Sequence, residues 1–298
     1  EPGSINCSFD MMQTQPIPKL SVTDVFYSRQ VWIYNLTFVI SDSNQDKENC
    51  ILYTWNESES GRGPNEVCSA LIDFLDLLEN RIKANETQQT TLNLFSDSCS
   101  GQNKNQYTMA TLLYYINCKA SILTKINHIF PIRGHSYMPP DRVFGRIEQV
   151  LRKKENIVSP NQYIEIFKNF CTVKEYNKDY KVYDFKNSAK TVLKTKTEFK
   201  STEQKMYSYI KGKETIGISK TYSGLPETVD ILKRKCRIRS LADHLELLPQ
   251  KNHVKIAKQD DVRKLLKFFN IPEDAKQFYA DIFKVADENI EDDVRKLL

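Results

Sequence analysis

The chain has 298 residues, 40% of them apolar and 27% charged, with a formal net charge of +5, which suits one large domain or a core with a smaller companion. No apolar run nears the roughly 20 residues of a membrane span, so a transmembrane helix is excluded. The seven cysteines, Cys7, Cys50, Cys68, Cys99, Cys118, Cys171 and Cys236, contain no C-x-x-C pair, which argues against a structural zinc site.

In chain order, Glu1 to Ser4 reads as an expression remnant, so the chain is expected to be a piece of a longer protein. INCSFDM is strand-like and ends near Asp10. QTQPIPKL, punctuated by Pro16 and Pro18, is an extended linker. β-branched and aromatic residues crowd Val31 to Ile40 and predict a long strand, followed by a turn at NQDKEN and a returning strand, CILYTWNES. Val67, Leu71, Phe74, Leu75, Leu78 and Ile82 recur at helical spacing, with Pro64 or Asn65 at the start. A strand over Thr91 to Phe95, a helix over QYTMATLLYYINCK and a strand over KINHIFPI follow. A third helix begins at Pro139 and Pro140, with Phe144, Ile147 and Leu151 inward. The order β-β-β-α-β-α-β-α predicts an α/β fold, a mixed sheet flanked by helices.

From residue 159 the pattern changes. YIEIFKNF reads as a helix, and YKVYDF, TVLKTKTEF, KMYSYI and TIGISKTY read as short strands with lysines outward. From Leu225 the chain reads as helices with loops. The division is therefore a core over 5–158 and a C-terminal extension over 159–298, β-rich and basic at first, then helical. Between Lys174 and Arg239, 17 Lys/Arg stand against 8 Asp/Glu, whereas the remainder holds 26 against 30. That excess predicts one basic face that binds nucleic acid, DNA first of all; a solvated lysine-rich surface is the alternative. DDVRKLL occurs at Asp260 to Leu266 and again at Asp292 to Leu298, and reads as two amphipathic helices with acids at their N-terminal ends. The scattered cysteines suit reduced thiols of the cytosol or nucleus. Asn35, Asn56 and Asn85 stand in N-x-S/T triplets, with no signal peptide to accompany them.

The chemistry concentrates on three acids. Asp97 breaks the apolar run of TLNLFSDSCSGQNKN, and Asp10 ends the first strand in the same way. Carboxylates at strand ends face the crevice where open α/β sheets gather ligands. If the two strands are neighbours, the acids lie side by side and repel unless a cation sits between them. Asp141, at the start of the third helix, would close the set. Three hard oxygen ligands suit Mg²⁺ or Mn²⁺, and a pair of such ions serves phosphodiester chemistry. Ser98, Ser100 and Gly101 would admit a phosphate backbone, and Gln102, Asn103 and Asn105 would offer uncharged hydrogen bonds. An aspartate at a strand end is also an ordinary turn-former or helix cap.

The element order with acids at these positions resembles the ribonuclease H-like fold of DDE/DDD transposases, integrases and related nucleases. More narrowly, FDMMQTQPIPKL, YSRQVWIYNL, RGPNEVCS, LFSDSCSGQNKN and RGHSYMPPDRVFGRIE resemble an uncharacterised transposase-like domain of animal genomes, over about Phe9 to Phe167. The resemblance implies that Asp10, Asp97 and Asp141 form a metal-binding triad acting on DNA in the nucleus. The chain departs from the pattern at Asn56, in YTWNES where an acid is expected, and at Ser100, where a glycine is expected.

Other residues are weighed beside these. His135 could orient a water or the scissile phosphate, or be a hydrogen-bonded loop histidine. Glu148 follows Asp141 by two helical turns and is a substitute for it if the helix starts later. Arg133 and Arg142 flank the crevice as phosphate contacts or surface charges. Glu57 and Glu66 are candidates for a fourth acid, with Arg62 as a partner for one of them. His128, alternating with Ile126 and Phe130, suits a structural role. The first reading is a metal-dependent nuclease or strand-transfer enzyme. The alternatives are a domesticated copy that binds nucleic acid without cutting it and a scaffold for a protein partner or a second copy of the chain.

Overall fold

The computed structural model describes residues 3–41, 47–85, 90–132, 137–268 and 271–284. Its centre is a mixed sheet of ten described strands. Strand β1 (Ser4–Met11) is paired antiparallel with β3 (Val31–Ser41), and β3 antiparallel with β4 (Cys50–Asn56). On its other side β1 runs parallel to β5 (Thr91–Ser96), and β5 parallel to β6 (Lys125–Ile129). QTQPIPKL, expected as a linker, contributes the short strand β2 (Gln15–Ile17) against β3. The four-residue helix α1 (Asp24–Tyr27) lies between them in sequence. Gly3 and Ser4, set aside as a remnant, join the sheet: Thr90 N–H donates to the Gly3 carbonyl, and Ser4 stands opposite Thr91.

The C-terminal extension adds to the same sheet at both edges. Strand β7 (Thr172–Glu175) pairs with β4. At the far edge β8 (Met206–Ile210) pairs with β6, followed outward by β9 (Ile216–Ser219) and β10 (Glu227–Val229). Of the basic run, Lys174 lies on β7 at one edge of the sheet, while Lys205 and Lys211 flank β8 towards the other. Many of its cations are also spent on local acids: Lys174 on Asp73, Lys178 on Glu175, Lys194 on Glu198 and Arg237 on Glu214.

Helices cover both faces. On one lie α2 (Pro64–Ala84), α3 (Gln106–Tyr114) and α6 (Phe185–Val192). Their core contains Cys7, Phe9, Leu36, Phe38, Leu92 and Leu94 from the sheet and Leu71, Phe74, Leu112 and Ala189 from the helices. A stack of Phe9, Phe38 and Phe74, with centroids 5.1 and 4.3 Å apart, ties β1 and β3 to α2. On the other face α4 (Pro139–Leu151), α5 (Pro160–Phe167), α7 (Ile256–Leu266) and α8 (Glu273–Lys284) cover β3 and β4. Their core joins Ile33 and Leu52 to Ile147, Leu151, Phe167, Val262 and Tyr279.

Two expected strands are absent. YKVYDF and TVLKTKTEF carry only isolated bridges, at Tyr180, Tyr183 and Leu193, and the chain between them forms α6, because Asp184 caps it by accepting from Asn187 N–H and because Phe185, Ser188, Ala189 and Val192 fall on one buried helical face. Of the two DDVRKLL copies, the first lies on α7 and the second lies outside the described residues. Asn35 is fully buried in β3, so its triplet is not open to a glycan.

The buried Glu79 of α2 holds the turn into β6. Its carboxylate accepts from Ser121 N–H and Oγ–H and from the N–H groups of Ile122 and Leu123. Burial alone would raise its pKa, but those donors hold it below the ordinary carboxylate range. Glu79→Ala leaves these donors unmet and is expected to cost about 2–4 kcal/mol in urea unfolding. Because the folded-state pKa is depressed, the wild-type advantage is present above the unfolded pKa and fades as the pH falls through the folded one.

Candidate functional site

The register of β1 and β5 builds the site. The last paired positions are Phe9 and Ser96, and the next residue of each strand is an acid, Asp10 and Asp97. Side chains alternate along a strand. Cys7, Phe9 and Met11 enter one core, so Asn6, Ser8 and Asp10 face the opposite side. Leu92 and Leu94 enter that same core, which places Asn93, Phe95 and then Asp97 on Asp10's side. Both acids therefore stand at the carboxyl ends of adjacent parallel strands, where β3 departs to one side and β6 to the other. That is the topological switch point at which open α/β sheets bind ligands.

Helix α4 brings the third acid. Pro139 and Pro140 occupy its first turn, and Asp141 accepts from Met138 N–H at 2.7 Å. A carboxylate there also meets the positive end of the helix dipole. The helix packs on β1 and β3, and the charges of all three acids meet at Asp10. Burial first, then the Asp97 charge and, more weakly, the Asp141 charge raise the Asp10 carboxyl to about 7, against an opposing hydrogen bond from Met11 N–H.

Described hydrogen bonds hold one oxygen of each acid. Met11 N–H donates to Oδ1 of Asp10 at 2.8 Å. Cys99 N–H and Asn103 Nδ2 both donate to Oδ1 of Asp97, at 3.1 and 2.5 Å. The loop after Asp97 is folded by its small and polar residues. Gln102, Asn103 and Lys104 donate their N–H groups to the Cys99 carbonyl, and Asn105 caps α3 by accepting from Tyr107 and Thr108 N–H. Asn103 is wholly buried, and its Oδ1 has no described partner.

Beneath Asp10 lies a buried polar patch that the sequence did not announce. Thr37 of β3 stands opposite Asp10, and Asn35 and Ser8 share that sheet face. The hydroxyls of Ser8 and Thr37 and both amide atoms of Asn35 are buried without a described hydrogen-bond partner. Leaving such groups unmet costs about 1–3 kcal/mol each, and buried polar groups of this kind recruit water or ions. This patch and the three carboxylates fit a hard divalent cation in chemical character. Among the described residues, however, no group of three or more His, Cys, Asp or Glu side chains is drawn together enough to hold one.

The remaining candidates separate clearly. His135 and Arg133 lie outside the described residues. Glu148 accepts from Gln15 Nε2. Glu57 is paired with Lys258 of α7 at 2.6 Å. Glu66 is bound to Ser60 Oγ and Gly63 N–H at the start of α2. Asn56, at the departure from the resembled pattern, bridges Glu59 and Ser58 in the same turn. His128 is buried against Phe9 and shares a hydrogen bond with Ser96 Oγ. Burial, aided by the nearby Lys104 charge, lowers it to about 3 and keeps it neutral. It thus supports the residues that precede Asp10 and Asp97.

The Asp10 shift has a measurable consequence. A carboxyl raised from 3.8 to about 7 costs stability as the pH climbs through that window, since the unfolded chain ionises first. Asp10→Asn should match the wild type in stability at the acid end of the window. Above pH ~7 the variant should be more stable by on the order of 2 kcal/mol, after allowance for solvent screening. Urea unfolding across that range reads the difference, and parallel curves for the two proteins would refute the shift.

Residues 33–223, well over half of the chain, match the family model described as a domain of unknown function, DUF7869. The matched stretch contains Asp97 and Asp141 and begins after Asp10. No curated protein and no solved structure matches the chain.

Proposed function

The chain belongs to the DUF7869 family, and we propose that it is a transposase-derived, ribonuclease H-like domain that cuts or joins DNA phosphodiester bonds with a divalent metal. The observation that carries this reading is Asp10, a largely buried carboxyl pushed to about 7 by burial and by the charges of Asp97 and Asp141. Acids from β1, β5 and α4 crowded in this way are a poor arrangement without a cation and a good one with it. The order of elements also supports it: β1, β3, β4, α2, β5, α3, β6 and α4 follow the β-β-β-α-β-α-β-α plan of the resembled fold.

Asp10, Asp97 and Asp141 would hold Mg²⁺ or Mn²⁺. Bound there, the ion supplies charge neutralisation at a scissile phosphate and acidifies the attacking water or hydroxyl. The protein's own part is to fix one oxygen of each acid. Met11 N–H does this for Asp10, Cys99 N–H and Asn103 for Asp97, and Met138 N–H for Asp141. A DNA substrate is what supports a nuclear location.

A domesticated domain that binds nucleic acid without cutting it is the second reading. It is favoured by the lack, among the described residues, of three acids drawn close enough for one ion.

Labelled DNA with Mg²⁺ or Mn²⁺ separates the two. Asp97→Asn keeps the side chain's size but removes its charge, and should lower cleavage or strand transfer by about two orders of magnitude or more. Mn²⁺ should raise the melting temperature of the wild type and not of Asp97→Asn. Equal activity in both proteins would point to a contaminating nuclease. Inactivity in both, without a Mn²⁺-dependent thermal shift, would establish the binding module.

A further inference from the structure

Arg142 and Arg146 sit one turn apart on α4, on the same helix face. Across from them the turn at Lys47–Asn49 leads into β4. Between these elements lies a pocket of about 300 Å³, lined by Lys47, Arg142 and Arg146, with Val39, Val143 and Phe170 among its apolar walls. No described acid lines it. None of the three cations forms an ion pair or hydrogen bond with a described residue, whereas Lys174, Lys178 and Arg237 elsewhere each have an acid. Among the described residues the guanidinium groups lean on rings: Arg142 lies 5.7 Å from the Tyr137 centroid, and Arg146 lies 5.9 Å from that of Phe170.

These charges act on a common region. The Cys171 thiol is pushed up by its contact with Cys50 and by burial, and Arg146 and Lys47 both oppose that push. Like charges brought together from separate elements favour an anion between them. Guanidinium forks in particular match the oxygens of a phosphate. The pocket also adjoins the acids. Val39 stands opposite Ser8, two residues before Asp10 and on the same sheet face, a strand rise of about 7 Å. Asp141 immediately precedes Arg142 on α4.

We propose that the pocket formed by Lys47, Arg142 and Arg146 binds a phosphate group. Resting on the reading of the chain as a phosphodiester-acting domain, that group is a backbone phosphate of the strand presented to Asp10, Asp97 and Asp141. The arginines then fix the register of the strand, and the acids address a neighbouring linkage.

Binding is measured in EDTA, so that it stands apart from cleavage. The probes are a short fluorescein-labelled single-stranded oligonucleotide, followed by anisotropy, and inorganic pyrophosphate, followed by calorimetry. The Arg142→Ala/Arg146→Ala double variant should bind the oligonucleotide about tenfold or more weakly at low salt. Its plot of log affinity against log salt should be shallower by about two phosphate contacts. Lys47→Ala, on a separate element, should weaken binding several-fold, and circular dichroism should show all variants folded. If the variants lose pyrophosphate while no form binds the oligonucleotide, the phosphate site stands and its ligand is a free phosphate compound. If all forms treat both probes alike, the site is overturned. Cleavage lost in Asp97→Asn while binding ignores the arginines would also overturn it, leaving the catalytic reading intact. Arginine-dependent binding in a protein that cuts nothing with Mn²⁺ would overturn the catalytic reading alone.

Discussion

Six paired positions hold β1 parallel to β5, from Ser4 opposite Thr91 to Phe9 opposite Ser96, and the next residue of each strand is an aspartate. A slip of one residue would turn Asp10 into the core that holds Cys7 and Phe9 and would expose those apolar side chains instead. The burial of Phe9 against Phe38, and of Leu92 and Leu94 against the helices, therefore fixes where the carboxylates emerge. Packing energy on one face of the sheet is what places like charges side by side on the other.

That arrangement opposes stability. Asp10 is held to about 7 by burial and two neighbouring charges, and Ser8, Asn35 and Thr37 bury polar atoms without described partners on the same face. A fold selected for stability alone would place apolar side chains under α4 at these positions, as it does at Ile33 and Ile147 a short distance away. Other buried polar atoms without described partners, such as the hydroxyls of Tyr180, Tyr209 and Tyr279, lie elsewhere in the fold, but this patch adjoins the crowded acids, and several turns around it are well satisfied. Glu79 gathers its donors, Asn105 caps α3, and the loop after Asp97 closes on the Cys99 carbonyl. Departures from local consistency that gather like charges and unmet polar groups are where a working site is expected.

Much of the core was legible because its elements follow simple periods. The alternation in β1 and β5, the aromatic and β-branched run of β3, and the helical recurrence from Val67 to Ile82 each depend on one side meeting a core. The reading failed where a short polar segment had two local solutions. YKVYDF and TVLKTKTEF alternate like strands, but in the chain that joins them Asp184 caps a helix and Phe185, Ser188, Ala189 and Val192 bury one face of it. The cap and the neighbouring helices decided the outcome. QTQPIPKL was read as a linker because prolines mark it, yet a strand beside β3 tolerates them where no ladder hydrogen bond is required.

The sequence by itself determined the order of the elements, the position of Asp10 and Asp97 at strand ends, and the place of Asp141 in the first turn of a helix, because strand period, turn chemistry and capping are local properties. Only the tertiary structure decided which strands became neighbours, and so that Asp10 and Asp97 share a face and that the C-terminal extension joins the sheet at both edges. It alone removed Glu57 and Glu66 from the candidates by giving each a partner. It alone brought Lys47 to Arg142 and Arg146. Pairing, partner choice and convergence arise between segments far apart in the chain, where each segment's own sequence carries no record of the other.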